Sequence, residues 1–290
     1  MPSEPPVFTL GHSPDPDDAF MFYAMAANKI DMRGYKFEHR LEDIQTLNER
    51  ARRGELHISA ISIHAYAYVS DRYALLPCGA SMGDGYGPLV IRKRATEEPG
   101  RFEPDAREFL SDKVIAIPGK MTSAFLALQL FLGRDFKHIV VPFDQIFDAV
   151  SDGRAQAGLI IHEGQLTYAR SGFQKIVDLG EWWKKETGLP LPLGGNVLRK
   201  DIAPAVQRDL LEIIRASIEF GLTHRDEAVR HSMPYARDMN ETLAAKFIGM
   251  YVNDYTRDYG EDGRAAICKF LGLAQQRGYL DQVPQIEFVE

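Results

Sequence analysis

Long apolar runs, a basic stripe and paired cysteines are all missing from this chain of 290 residues. No stretch approaches the roughly 18 consecutive apolar residues of a membrane-spanning helix, and "HISAISIHAYAYV" (57–69) is too short and too polar to span. The opening "MPSEPPVFTL" has an acid and three prolines where a secretory leader has a basic start and an apolar core, so the expected location is the cytoplasm. A formal charge of −7, with Lys and Arg scattered along the chain, gives no footprint for a nucleic-acid partner. Cys78 and Cys268 stand in no metal or redox spacing and are expected to be free, buried thiols. A G-x-S-x-G nucleophile elbow and zinc-ligand spacing are absent as well, which removes serine-hydrolase and zinc-enzyme motifs from consideration.

What is present is the composition of an ordinary globular protein, 45% hydrophobic and 26% charged, with length enough for two lobes. Periodicity predicts a strand near 7–11, a helix near 17–28, a strand near 35–41, a helix near 43–53 and a strand near 57–60, an α/β alternation. "AISIHAYAYV" reads as a helix start, and "YALLPCGASMG" and "YGPLVIRKR" as strands. The polar, proline-containing "TEEPGRFEPDAREFLSD" is expected to be a loop or short helix at a lobe boundary. A second βαβ unit follows: "VIAIPG", "TSAFLALQLFLG", "HIVVPF", "DQIFDAVSDG", "AGLIIH" and "GQLTYARSG". From Asp201 the chain reads as helical and is expected to pack back on the first lobe. The prediction is a discontinuous first lobe (1–92 and 197–290), a second lobe (93–196), crossings near 88–96 and 190–198, and a ligand cleft between the lobes.

Four stretches are candidates for the site. In "FTLGHSPDPDDAFMFYAM" the carboxylates Asp15, Asp17 and Asp18 repel phosphate, and the spacing does not match a calcium loop. Helix capping explains them, with Ser13 placed where a strand ends and a helix begins and its hydroxyl aimed into the cleft. In "IPGKMTSAFLAL", Thr122 and Ser123 at a helix start either hold an anion such as a carboxylate or merely cap the helix. In "GLIIHEGQLTY", His162 ends a buried strand and is the best-placed general base, with a core histidine as the bland alternative; Glu163 either orients it or lies outside. His12 and His64 also follow apolar stretches near the cleft. Trp182 and Trp183 either cover an aromatic ligand or seal a lobe surface before an apolar crossing that reads as a hinge.

Taken in order, "SPDPDDAFMFYAM", "LEDIQTLNERARRGEL", "DRYALLPCGASMGDGYGPLV", "GLIIHEGQLTY" and "DLGEWWKKETGLPLPLG" resemble the 1,4-dihydroxy-6-naphthoate synthases of the futalosine route to menaquinone. The resemblance runs over about residues 8–198, with "YVNDYTRDYGEDG" matching more loosely beyond. It implies a fold similar to type II periplasmic binding proteins, used inside the cell as an enzyme. It also implies cleavage of cyclic dehypoxanthinyl futalosine, an aromatic carboxylate, without metal or organic cofactor. By the same resemblance His162 acts as base or nucleophile, and Thr122, Ser123 and Ser62 supply the hydroxyl-bearing helix starts that bind substrate. The opening motif departs from the family's usual S-P-C-P-N-D-T-F: Asp15 replaces the cysteine, Asp17 the asparagine and Ala19 the threonine. A non-catalytic small-carboxylate binding protein and a chorismate dehydratase of the same pathway are the rival expectations, and the dehydratase lacks the "GLIIHE" stretch.

Overall fold

The computed structural model describes residues 5–94, 105–133 and 135–290. Its strands are β1 (Val7–His12), β2 (Lys36–Leu41), β3 (Ile58–Ser62), β4 (Tyr73–Leu75), β5 (Ser81–Gly83), β6 (Leu89–Lys93), β7 (Ile115–Ile117), β8 (His138–Val140), β9 (Ala157–Ile160), β10 (Phe173–Asp178) and β11 (Leu191–Arg199). They form two sheets. The first has the order β2-β1-β3-β11-β4, with β5 also paired to β11; the second has the order β10-β6-β9-β7-β8. In each sheet the parallel strands (β2, β1, β3 and β8, β7, β9) adjoin antiparallel ones.

The local reasons are readable in the helix Ile44–Arg53. Asp43 caps it by accepting from the N–H groups of Gln45 and Thr46, and Gly54 ends it in the left-handed region at φ 70°. Leu47, Asn48 and Ala51 face inward, while Arg50, Arg52 and Arg53 complement the C-terminal dipole. By contrast, the stretch expected as one helix near 17–28 is two, Pro16–Met21 and Tyr23–Ala26, interrupted at Phe22. Every residue from Asp18 to Met25 is buried, so packing on all sides rather than one amphipathic face shapes it.

The expected strand "YGPLVIRKR" and the expected crossing "LPLGG" both fall on the other side of the predicted boundaries. β6 belongs wholly to the second sheet and β11 wholly to the first, so the chain crosses at 84–88 and 179–190 rather than near 88–96 and 190–198. β11 was expected to be an apolar hinge; it is a nine-residue strand in the middle of the first sheet. Pro192, Gly194 and Gly195 disguise it, and its register with β5 shifts between Pro192 and Gly194, the irregularity such residues impose. The crossings touch: Leu179 N–H donates to the Pro88 carbonyl at 3.0 Å, and a Cβ on Gly180 would lie 1.9 Å from the Tyr86 carbonyl oxygen. Of the polar boundary segment, 106–110 is a short helix capped by Asp105, and 96–104 lie outside the described residues.

The helical C-terminal third does pack on the first sheet's lobe. Leu210, Ile214 and Ile218 of the helix Pro204–Thr223 share a buried cluster with Leu10, Phe20 and Ile58. Ile267, Phe270 and Leu271 of Gly260–Gln276 join Trp183, Leu191 and Val197. Trp183 is fully buried, edge-on to Phe270 at 5.4 Å, and donates from Nε1 to the Pro190 carbonyl; Trp182 packs edge-on to Phe131. Neither tryptophan lines the cleft cavity: Trp183 is core, and Trp182 borders a separate pocket beside Phe131 on the second lobe's surface. The cysteines are free as expected, but Cys268 is exposed on the outer face of its helix while Cys78 is buried.

Candidate active site

A cavity of about 130 Å³ lies where β1 and β3 of one lobe and β7 and β9 of the other end. Ser13, Ser62, Thr122 and Ser123 all line it, with Asp15, Asp17 and Asp18 on one wall and Ile161, Asn196 and Tyr251 elsewhere on its surface. Position at strand ends is what an open α/β sheet dictates, because the helix that follows each strand turns its free N–H groups toward the crevice.

On the second lobe, Thr122 caps the helix Ser123–Leu132 by accepting from Phe125 N–H at 3.1 Å, and its hydroxyl donates to the Gly119 carbonyl at 2.9 Å. Its hydroxyl is therefore engaged with its own turn. Ser123 Oγ accepts from His64 N–H at 3.1 Å and keeps its hydrogen to give. The backbone N–H groups of Ser123 and Ala124 open the helix, with the positive end of its dipole behind them. Facing them, Ser62 Oγ accepts from Asn48 Nδ2 at 3.0 Å and likewise keeps its hydrogen, while Asn48 Oδ1 accepts from Ser62 N–H at 2.9 Å. Gln45 Oε1 accepts from Met121 N–H at 3.1 Å. The His64–Ser123 and Gln45–Met121 contacts join the lobes across the base of the cleft.

On the first lobe the opening turn is acidic. Asp18 Oδ2 accepts from Ser13 N–H at 2.6 Å, which folds the turn back on itself. Burial pushes Asp18 up to about 7, against the hydrogen bond from Ser13. Burial raises Asp15 to about 6, helped by the charge of Glu163 and opposed by His162 and Arg237. Asp17 is raised well above the usual carboxylate range, by burial and then by the charges of Asp18 and Asp15. Burial thus shifts the wall toward the protonated form, most strongly at Asp17, while Asp15 remains the carboxylate that pairs with Arg237. No group of three or more His, Cys, Asp or Glu side chains is arranged to hold a metal ion among the described residues.

His162 directly follows the lining residue Ile161 but does not itself line the cavity in this conformation. Its Nε2 is 3.0 Å from the Phe143 carbonyl, which only accepts, so Nε2 carries the hydrogen; Nδ1 accepts from Gly164 N–H at 3.2 Å. Glu163 Oε2 stands 3.4 Å from Nδ1. Burial disfavours the imidazolium, yet the bond to Glu163 and the charges of Glu163 and Asp15 outweigh it and raise the ring's pKa. The structure therefore brings the four hydroxyl residues together and sets His162 just behind them, where a turn of its ring is needed to reach a ligand. His12 and His64 are core histidines: burial lowers each to about 4, and they bond to the carbonyls of Ser13 and Thr122.

Sequence reasoning missed Asn48, Asn196, Arg237 and Tyr251. Arg237 joins Asp15 and Glu163, with Nη2 2.7 Å from Asp15 Oδ1 and Nε 3.0 Å from Glu163 Oε1. Tyr251 donates to Gln165 Oε1 at 2.6 Å. Tyr251 ends the helix Glu241–Tyr251 and Arg237 sits in the turn that precedes it, both in the first lobe's C-terminal part, and no local pattern marks either.

Comparison with known proteins accords with this arrangement. A family model described as menaquinone biosynthesis matches residues 8–276. A 1,4-dihydroxy-6-naphthoate synthase of Thermus thermophilus is 36% identical over 97% of this chain and 98% of its own length, and one of Streptomyces coelicolor is 36% identical over 93% of each. A crystal structure of a protein from Archaeoglobus fulgidus superposes with a TM-score of 0.87 at 43% identity, covering 96% of this chain and all of that one. The alkanesulfonate-binding protein of Xanthomonas axonopodis pv. citri, at 12% identity, has a TM-score of 0.69 over 99% of this chain and 97% of its own. That last likeness identifies the architecture as the two-lobed periplasmic-binding-protein-like α/β fold. With the match to the family running through both lobes and the cleft between them, the chain belongs to the menaquinone biosynthesis family.

Proposed function

We propose that this protein is a 1,4-dihydroxy-6-naphthoate synthase, a carbon–carbon lyase that converts cyclic dehypoxanthinyl futalosine in the futalosine route and works in the cytoplasm. The observation that carries the reading is kinship to two such synthases over nearly the whole length of all three chains. The cavity chemistry supports it. A carboxylate on an aromatic substrate meets the N–H groups of Ser123 and Ala124 and the hydroxyls of Ser123 and Ser62. Thr122 holds that helix start in place, and Ser13 presents the opposite edge.

His162, turned inward when substrate is bound, takes the proton of a sugar-derived hydroxyl. Cleavage then follows in a retro-aldol sense, with aromatisation of the product ring as driving force. Asp17, whose burial favours the protonated form, donates to an oxygen of the sugar-derived part. Lobe closure excludes water from the reacting centre.

The test is incubation of the purified protein with cyclic dehypoxanthinyl futalosine and mass spectrometry of the product, beside His162→Ala. Naphthoate from the parent and a fall of about 10² to 10⁴ in turnover for the variant are expected, the range of a general base. Tight binding of an aromatic carboxylate without conversion by the parent would make the chain a binding protein, and enolpyruvyl benzoate from chorismate would make it the dehydratase.

A further inference from the structure

We propose that Arg237 is a positioning residue which, on lobe closure, locks Glu163 against His162 and so couples the closed conformation to the basicity of that imidazole. The inference rests on the assignment of His162 as the base. The geometry is a chain of three contacts. Arg237, on the first lobe, is tied to that lobe's opening turn through Asp15 Oδ1 at 2.7 Å and the Pro14 carbonyl at 3.1 Å. From there it reaches across the cleft and engages Glu163 through one carboxylate oxygen only, Oε1 at 3.0 Å, while its guanidinium lies over the Phe143 ring at 4.9 Å. The other oxygen, Oε2, is buried without a hydrogen-bond partner and stands 3.4 Å from His162 Nδ1, the nitrogen that carries the lone pair.

A buried carboxylate oxygen left without a donor is costly, and the nearest group that can supply one is Nδ1 after it has taken a proton. Glu163 then stabilises the imidazolium as the third member of a nucleophile–base–orienter set does, and Arg237 fixes which way Glu163 faces. Phe143 holds the Nε2 side of the imidazole through its carbonyl in this conformation; when the ring leaves that carbonyl and turns Nε2 toward substrate, the carboxylate oriented from the opposite lobe keeps the Nδ1 side in place. With the lobes apart, Arg237 leaves with the first lobe, and Glu163 loses the contact that orients it. The charged groups facing the imidazole are Glu163, Asp15 and, beyond them, Arg237.

The test compares the parent with Arg237→Ala, Arg237→Lys, Glu163→Gln and the Arg237→Ala/Glu163→Gln pair. One readout is NMR titration of the His162 ring, which needs no substrate; the other is kcat and KM across pH. For Arg237→Ala we expect kcat to fall about 10²-fold, the cost of a misplaced catalytic group, with a much smaller change in KM. Arg237→Lys, which keeps the charge but cannot fork to two carboxylates, should recover only part of that loss. The His162 titration should move to lower pH in Arg237→Ala, because the ring stays buried and loses its carboxylate. The double variant should be no slower than Glu163→Gln alone. A titration that moves to higher pH, as mere removal of a nearby positive charge requires, overturns the proposal, as does a rise in KM with kcat unchanged, the mark of a simple latch. Should the parent fail to convert the substrate, the titration still decides the coupling, and the failure counts against the proposed function alone.

Discussion

Two strand-to-helix turns face each other across the cleft, Ser13–Asp18 after β1 and Gly119–Ala124 after β7, and they use the same local geometry to opposite ends. The first gathers the protein's own carboxylates around its helix start, though none caps the helix through a side-chain bond, contrary to the expectation from sequence, and Asp18 takes the Ser13 N–H instead. The second caps with a neutral threonine and leaves the N–H groups of Ser123 and Ala124 to the cavity. One turn is thus a wall of acids and the other an unfilled helix start. Under the proposed function that asymmetry orients the substrate, whose carboxylate is welcome at one end only.

Three changes break or sharpen the contrast, from the largest expected effect to the smallest. Making the second turn resemble the first, with Ser123→Asp, puts a carboxylate where the proposed function docks that of the substrate. Like-charge juxtaposition costs several kcal/mol, so affinity for an aromatic carboxylate should fall at least about 10²-fold by calorimetry, and unchanged affinity would remove Ser123 from the binding site. Removing the neutral cap, with Thr122→Ala, should cost about 1 kcal/mol of stability in a denaturant titration, the usual worth of an N-cap, with a smaller effect on affinity because its hydroxyl is engaged with its own turn. A loss of binding larger than the loss of stability would show that the hydroxyl contacts substrate directly.

The smallest effect is Asp17→Asn on the acidic turn. Asp17 titrates higher folded than unfolded, so the native state holds a proton that the unfolded chain has already released, and stability falls as pH rises from the ordinary carboxylate range through the raised value. Asparagine removes that penalty. The variant should melt higher than the parent at pH 8, and the gain should vanish below about pH 3, where both states are protonated. A gain that persists there would mean that charge is not its cause.

Much of this was legible in sequence because alternation is a local signal. β1, β2, β3 and the second βαβ unit follow from it directly, and so does the position of the cavity residues, since strand ends are where an α/β crevice must lie. β11 was not legible, because the proline and glycines that suit a strand in close contact with others read as a crossing. A Cβ on Gly195 would lie 2.1 Å from the Tyr259 hydroxyl, so the residue that weakens the strand signal is one the packing requires. Arg237 was hidden for a different reason. It meets Asp15 from 222 residues away in sequence, and one chain offers no period or spacing that announces a partner at that distance. His162 was found as a strand-end histidine, but its ring orientation depends on Phe143 and Gly164, which only the folded turn brings to it.

The contact between the two crossings, at Gly87 and Gly180, has a mechanical consequence. Two separate connectors would let the lobes slide, twist and tilt independently. Bonded together through Leu179 and Pro88, with backbone against backbone, they act as one connection and resist independent sliding of the lobes. Any side chain larger than glycine's at Gly87 or Gly180 would meet the opposite crossing's backbone and prise that single connection into two.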